Sequence, residues 1–167
     1  MADLLRWALE LDPDGVNHNA LLSYETGTPI DEVADLASSY FKADILKNEY
    51  SQPPVPGWPA APNWAWQAAA RFMDDKKVNE AWFWWEYDAV PLKPGWLDKI
   101  CEGYLKGGKP FAGHIVEGMG HMNGVGIYPP DVRRRSQEAM LCRSAAWDYV
   151  LKDTIANDCT NLNHLIQ

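Results

Sequence analysis

The sequence predicts an α/β protein with a mostly parallel sheet flanked by helices on both faces. Three observations carry this expectation. Apolar stripes at helical spacing alternate with short apolar runs through at least three strand–helix units. The run Ala81-Trp82-Phe83-Trp84-Trp85 shows no alternation, so it must be covered on both faces, as a central strand of such a sheet is. The chain of 167 residues, 47% hydrophobic and 23% charged, suffices for one domain with a real core and argues against disorder.

The elements follow in order. Leu4, Leu5, Ala8 and Leu9 form one stripe of a helix over 3–11, which Asp12-Pro13-Asp14-Gly15 breaks. Ala20-Leu21-Leu22-Ser23-Tyr24 reads as a buried strand. Thr28-Pro29-Ile30-Asp31 then supplies an N-cap, a first-turn proline and an acidic third position for a helix that presents Val33, Ala34, Ala37, Tyr40 and Phe41. Asp44-Ile45-Leu46-Lys47 is a weaker strand signal, and Pro53, Pro54, Pro56, Pro59 and Pro62 mark an extended loop around Trp58. Asn63 is the expected N-cap of a helix to about Met73 that keeps Ala68, Ala69 and Phe72 together.

The aromatic strand over 81–85 is expected at the centre of the sheet, and it ends in Glu86-Tyr87-Asp88-Ala89-Val90-Pro91-Leu92. Pro94-Gly95 starts a helix with the stripe Trp96, Leu97, Ile100, Cys101, Tyr104 and Leu105, stopped by Gly107-Gly108. A strand over 111–116, a polar loop over 117–123 and a strand over 124–128 come next, closed by Pro129-Pro130. Helices are expected at about 131–141 and 145–155, before a polar tail. No internal repeat and no domain boundary is visible, so residues 1–167 are expected to form a single domain.

A net charge of −8 and a pI near 4.9 give nucleic acid no broad attractive field, so a polynucleotide partner is disfavoured and would need a local basic patch. No segment approaches the roughly 20 continuous apolar residues of a membrane span, and Met1-Ala2-Asp3 is not a basic signal-peptide start. A cytoplasmic protein without a membrane partner is expected. Cys101, Cys142 and Cys159 are odd in number and outside any C-x-x-C arrangement, which fits reduced thiols better than a disulfide framework or a zinc site. The nine Trp either fill a core or, in part, line a cleft for flat or sugar-like ligands.

In open α/β sheets ligands bind at the carboxyl ends of strands. Glu86 and Asp88 hold that position. Two residues apart in an extended segment, they would point the same way and share one hard cation, Mn²⁺ or Mg²⁺. Spacing alone is weak, since 23 acidic residues in 167 give about three such triplets by chance. Asp12-Pro13-Asp14 is one of these. The alternative for Glu86 and Asp88 is an ordinary solvated strand end.

The stretch Trp82-Phe83-Trp84-Trp85-Glu86-Tyr87-Asp88-Ala89-Val90-Pro91-Leu92-Lys93-Pro94-Gly95-Trp96-Leu97 resembles the acidic-x-Asp metal motif and following helix of nucleotide-sugar-dependent glycosyltransferases of GT-A fold. It is similar to viral and bacterial proteins of that type. Lys109-Pro110-Phe111-Ala112-Gly113 and His121-Met122-Asn123-Gly124-Val125-Gly126-Ile127-Tyr128-Pro129 extend the resemblance, as do Leu22 to Thr28 and Asn63 to Arg71, so that it covers about residues 20–130.

The resemblance implies a GT-A-like fold that here lacks its first strand, and transfer of a sugar from a nucleoside-diphosphate sugar to a hydroxyl acceptor. It puts Tyr24, Glu25 and Asn63 near the nucleotide, and His121 and Asn123 near the sugar, where Gly124 and Gly126 would let the backbone approach the ligand. Glu86 and Asp88 would hold the ion and diphosphate, with His164 where many such enzymes have a carboxy-terminal metal ligand. Asp148, after Ala145-Ala146-Trp147, is the implied base for the acceptor hydroxyl. Each has a plainer reading: a helix-favoured aspartate for Asp148, a solvated tail for His164, turn punctuation for the glycine-rich loop, and a core histidine for His114. The run Arg133-Arg134-Arg135, with Arg143, is either a solvated face or a grip for phosphates.

The acceptor is barely constrained, a hydroxylated base in viral DNA within a host cytoplasm being one expectation. A short carboxy-terminal region would leave a minimal acceptor site or one that another subunit of a homo-oligomer completes. Two other functions stay open: an inactive nucleotide- or carbohydrate-binding module, and a metal-dependent phosphohydrolase using the same acidic pair.

Overall fold

The computed structural model describes Met1–Leu165. It is α/β, and its helices and strands form two compact units, Met1–Gln52 with Glu86–Asp98, and Pro53–Trp85 with Lys99 onward.

The first unit opens with α1 (Ala2–Leu11), which buries Leu4, Leu5 and Ala8 as its apolar spacing dictates. Gly15 ends the turn that follows at φ +68, and a Cβ there would lie 2.4 Å from the Tyr40 carbonyl oxygen, so only glycine fits. β1 (Ala20–Glu25) leads to α2 (Asp31–Tyr40) and then to β2 (Ile45–Tyr50), which pairs parallel to β1 from Ala20↔Ile45 to Glu25↔Tyr50. The β1 strand is half-buried along its length rather than buried. α2 begins at Asp31, without a side-chain cap, instead of at the expected Thr28 cap. Thr28 is held in the turn after β1, where its amide donates to Glu25 O at 3.0 Å, and Asp31 and Glu32 face the positive helix end instead.

The segment 86–98 is fastened to this unit by polar contacts. Trp7 Nε1 donates to Pro91 O at 2.7 Å, Gly95 N donates to Asp12 Oδ1 at 2.7 Å, and Trp96 Nε1 donates to Tyr40 Oη at 2.9 Å. Tyr40 is fully buried, and that burial, with Asp12 nearby, pushes its phenol up to about 12, so it stays a neutral hydroxyl here.

The second unit contains α3 (Ala60–Asp75), β3 (Trp82–Trp84), the body of α4 (Trp96–Gly107), β4 (Phe111–Ile115), β5 (Met122–Tyr128), α5 (Val132–Arg135), α6 (Trp147–Val150), α7 (Lys152–Ile155) and β6 (Cys159–Asn161). The four strands lie in the order β3-β5-β4-β6, with β5 antiparallel to both neighbours and β6 parallel to β4. The sheets of this protein are therefore small and mixed, not one mostly parallel sheet. The reason is the connection between β4 and β5, where Val116 N donates to His121 O at 2.9 Å across a hairpin too short for a parallel crossover.

The aromatic strand β3 lies at the end of that order rather than at its centre. Its cover comes from other rings: Trp82 stacks on Tyr128 at 5.1 Å, and Trp66 stacks on Trp147 at 5.7 Å and meets Tyr128 edge-on at 5.4 Å. Trp66, Trp82 and Trp147 are thus core residues, whereas Trp58 is 80% exposed. The β5 strand is the buried one, from Gly124 to Tyr128.

α3 starts at Ala60 after Pro59, three residues before the expected cap, because prolines suit a first helical turn whose amides lack partners. The long helices expected at 131–141 and 145–155 are only short turns of helix, α5, α6 and α7. Their apolar spacing still reports burial: Val132, Ser136, Ala139 and Met140 are buried, as are Trp147, Leu151 and Ile155. Ser136 leaves helical geometry at φ −133, so the stripe persists where the helix does not. β6 was not anticipated, since it carries one buried residue in a polar segment.

Gly113 and Gly126 pair across β4 and β5. A Cβ on Gly113 would lie 2.7 Å from Met122 Cγ, and one on Gly126 2.8 Å from Ala112 O. These positions make room for the Met122 side chain and the neighbouring strand. Gly113→Ala is expected to lower stability by about 1–3 kcal/mol through overpacking against Met122, read as a fall in the chemical-denaturation midpoint; a Met122→Ala background should recover part of the loss.

Candidate functional site

Glu86 and Asp88 belong to the first unit, where the contacts of Trp7, Asp12 and Tyr40 hold their segment. They do not lie in extended chain. Ala89 N donates to Glu86 O at 3.1 Å, so Tyr87 and Asp88 form the corner of a turn, and the alternation that would aim both carboxylates one way does not apply. Asp88 is exposed and Glu86 half-buried. As oxygen donors they suit a hard cation, which commonly takes one or two carboxylates and completes its shell with phosphate oxygens and water. Among the described residues no group of three or more His, Cys, Asp or Glu side chains converges as a metal cage. Tyr24 and Glu25 end β1 in the same unit, both half-buried, paired in register with Glu49 and Tyr50. Burial, together with the Glu25 charge, raises the Tyr50 phenol above its ordinary range.

In the second unit the sheet end where β4 turns into β5 gathers His121, Asn123 and Asp148. His121 Nε2 stands 3.9 Å from Asp148 Oδ2, with 12% and 17% of the two side chains exposed. The His121 ring meets Tyr149 edge-on at 5.7 Å, and its Nδ1 is buried without a hydrogen-bond partner among the described residues. Burial pushes the Asp148 carboxyl above its ordinary 3.8, opposed by hydrogen bonds from backbone amides, Tyr149 N at 2.9 Å among them, and by the charge of His121. Asn123 is turned inward on its own strand, its Oδ1 accepting from Val125 N at 3.3 Å.

The position of Asp148 is set by the residue before it. Trp147 N donates to Asn63 Oδ1 at 3.0 Å, and Trp147 Nε1 donates to Tyr128 Oη at 3.2 Å, which donates in turn to Gly124 O at 2.7 Å. Asn63 also donates from Nδ2 to Ala145 O at 2.7 Å, and Gln67, one turn on, donates to Ala139 O at 2.8 Å. Both amides are buried. The polar capacity of Asn63 is thus spent on holding the loop before α6, a different task from the nucleotide contact that the resemblance implies for it.

Gln67 is not singled out in the sequence reading, and Tyr128 enters it only within the stretch His121 to Pro129, not as a support for Asp148. A signal was present: Asn63 and Gln67, four apart, interrupt the buried face of Trp66, Ala69 and Ala70, and two amides on a core-facing stripe need backbone partners. His164 lies in an exposed turn just after Asn163, whose amide brackets Ile115 N at 2.8 Å and Ile115 O at 3.3 Å.

No family model, curated protein or solved structure matches the chain. Among the described residues no helix is long and apolar enough to cross a membrane.

A carboxyl raised by burial favours folding while protonated, and that advantage is lost as pH climbs through its folded value. Asp148→Asn is therefore expected to raise Tm relative to the parent at pH 7, with the gain shrinking as pH falls through the raised folded value and gone below the ordinary aspartate range. Equal shifts at pH 3 and pH 7 in differential scanning calorimetry would refute that assignment.

Proposed function

We propose that the chain is a metal-dependent glycosyltransferase of GT-A-like type, moving a sugar from a nucleoside-diphosphate sugar to a hydroxyl acceptor. The observation that carries this reading is Asp148, a half-buried carboxylate raised above its ordinary range and set beside His121 on a rigid aromatic support. A base with a raised pKa takes a hydroxyl proton more readily than an ordinary aspartate, and its backbone hydrogen bonds keep it aimed. His121, close enough to pair with the carboxylate when protonated, favours its ionised form.

The motif at Glu86 and Asp88 supports the remaining chemistry. Mn²⁺ or Mg²⁺ held by these carboxylates would offset the charge that develops on the diphosphate as the sugar departs. Glu86 stands on the chain's own turn with Ala89, and Asp88 at the exposed corner, so each can be replaced without opening a core. Tyr24 and Glu25, in the unit of Glu86 and Asp88, are proposed to contact the nucleotide, and His121 and Asn123, in the unit of Asp148, the sugar.

Nucleotide release from a panel of nucleoside-diphosphate sugars, with and without Mn²⁺, tests the reading. Asp88→Ala is expected to remove metal-dependent release, and Asp148→Asn to lower kcat by about 10²–10⁴-fold with donor affinity retained. Full activity in Asp88→Ala would end the proposal. Calorimetric binding of donor with no release by the parent protein would instead mark a binding module.

A further inference from the structure

The second unit carries a groove lined by none of the residues assigned to the proposed site. It encloses about 270 Å³ between the end of α3 and the start of α5, and Asp74, Lys77, Asn79, Asp131 and Arg134 line it. The two carboxylates are already engaged. Arg133 Nη1 pairs with Asp74 Oδ2 at 2.9 Å and reaches Asp75 at 3.5 Å, and Arg135 Nε pairs with Asp131 Oδ1 at 2.7 Å. The Arg135 hydrogen bond holds the Asp131 carboxyl below its ordinary range, with a smaller contribution from Arg134, so Asp131 stays ionised and matched.

Lys77 and Arg134 are different. Both are exposed, and neither forms an ion pair among the described residues. Lys77 is also fixed at its root: it sits at φ +55, where its amide donates to Asp74 O at 3.0 Å and the next amide, Val78 N, donates to Met73 O at 3.0 Å. This pinned helix end presents a lysine from a left-handed position that usually falls to glycine. Two cations without an ion pair among the described residues, on backbone held by helix-end hydrogen bonds, with Asn79 also lining the groove, form a receptor for a compact oxyanion.

We propose that this groove binds the phosphate group of a small phosphorylated ligand, with Arg134 and Lys77 as its charged partners. The size of the groove and the net charge of −8 favour a single compact anion over a long polyphosphate chain, which the rest of the surface repels.

The test is a titration of the full, isotopically labelled chain with inorganic pyrophosphate, followed by amide chemical shifts. Saturable shifts are expected at Lys77, Val78, Asn79 and Arg134. Lys77→Ala and Arg134→Ala, both at exposed positions, should each weaken binding by about three- to tenfold with Tm unchanged. Lys47→Ala, an exposed cation on β2, should leave binding as it was. Absence of saturation, or equal weakening by Lys47→Ala, overturns the proposal. So does an oligothymidylate that saturates the same amides when pyrophosphate does not, because the ligand would then be a polynucleotide backbone.

Discussion

The second unit depends on one contact, the stacking of Trp147 on Trp66 with the backbone of Trp147 tied to Asn63. Trp66 belongs to the long helix α3, and Trp147 to a helix of a single turn that could not stand alone. The stack buries both rings, and the amide of Asn63 satisfies the Trp147 N–H that burial would otherwise strand. Through Tyr128 the same indole reaches β5, so helix, sheet and loop meet at one side chain. The cost of burying so many polar groups is offset because nearly every one finds a partner. The exceptions among the described residues are the indole nitrogens of Trp66 and Trp82, His121 Nδ1 and the hydroxyls of Ser136 and Thr160.

This arrangement explains how an aspartate on a short helix acquires a defined environment. Asp148 follows Trp147 directly, so the ring that fills the core also fixes where the carboxylate emerges. Its neighbour His121 directly precedes β5, whose first residue, Met122, pairs with Ile115 of β4. Two side chains distant in sequence thus share an environment without any loop having to organise itself around them. In the first unit Asp12 acts similarly, binding Gly95 N and facing Tyr40, and so orders the segment that bears Glu86 and Asp88.

Local chemistry was legible where periodicity and turn residues decide it. The stripe of α1, the stop at Gly15, β1, and the strands over 111–116 and 124–128 follow from apolar spacing and glycine placement. Asp148 and His121 enter as candidates only through the resemblance, not through periodicity or turn chemistry. The pairing of Glu86 with Asp88 by strand alternation failed because a turn hydrogen bond bends the chain between them. The role of Asn63 was misread as a cap because helix propensity cannot distinguish a capping amide from a buried one that holds a distant loop.

The sequence by itself determined which residues are apolar, where the chain must turn, and that strands and helices alternate. Those are properties of neighbours within a few positions, and hydrophobic period and backbone stereochemistry encode them. Only tertiary structure decided that β3 lies at an edge, that β4 and β5 run antiparallel, that Cys159 begins a strand, and that Asn63 reaches Trp147. Each of these is a choice of partner between segments far apart in the chain, made by which rings stack and which buried amides find acceptors, and no local pattern carries that information.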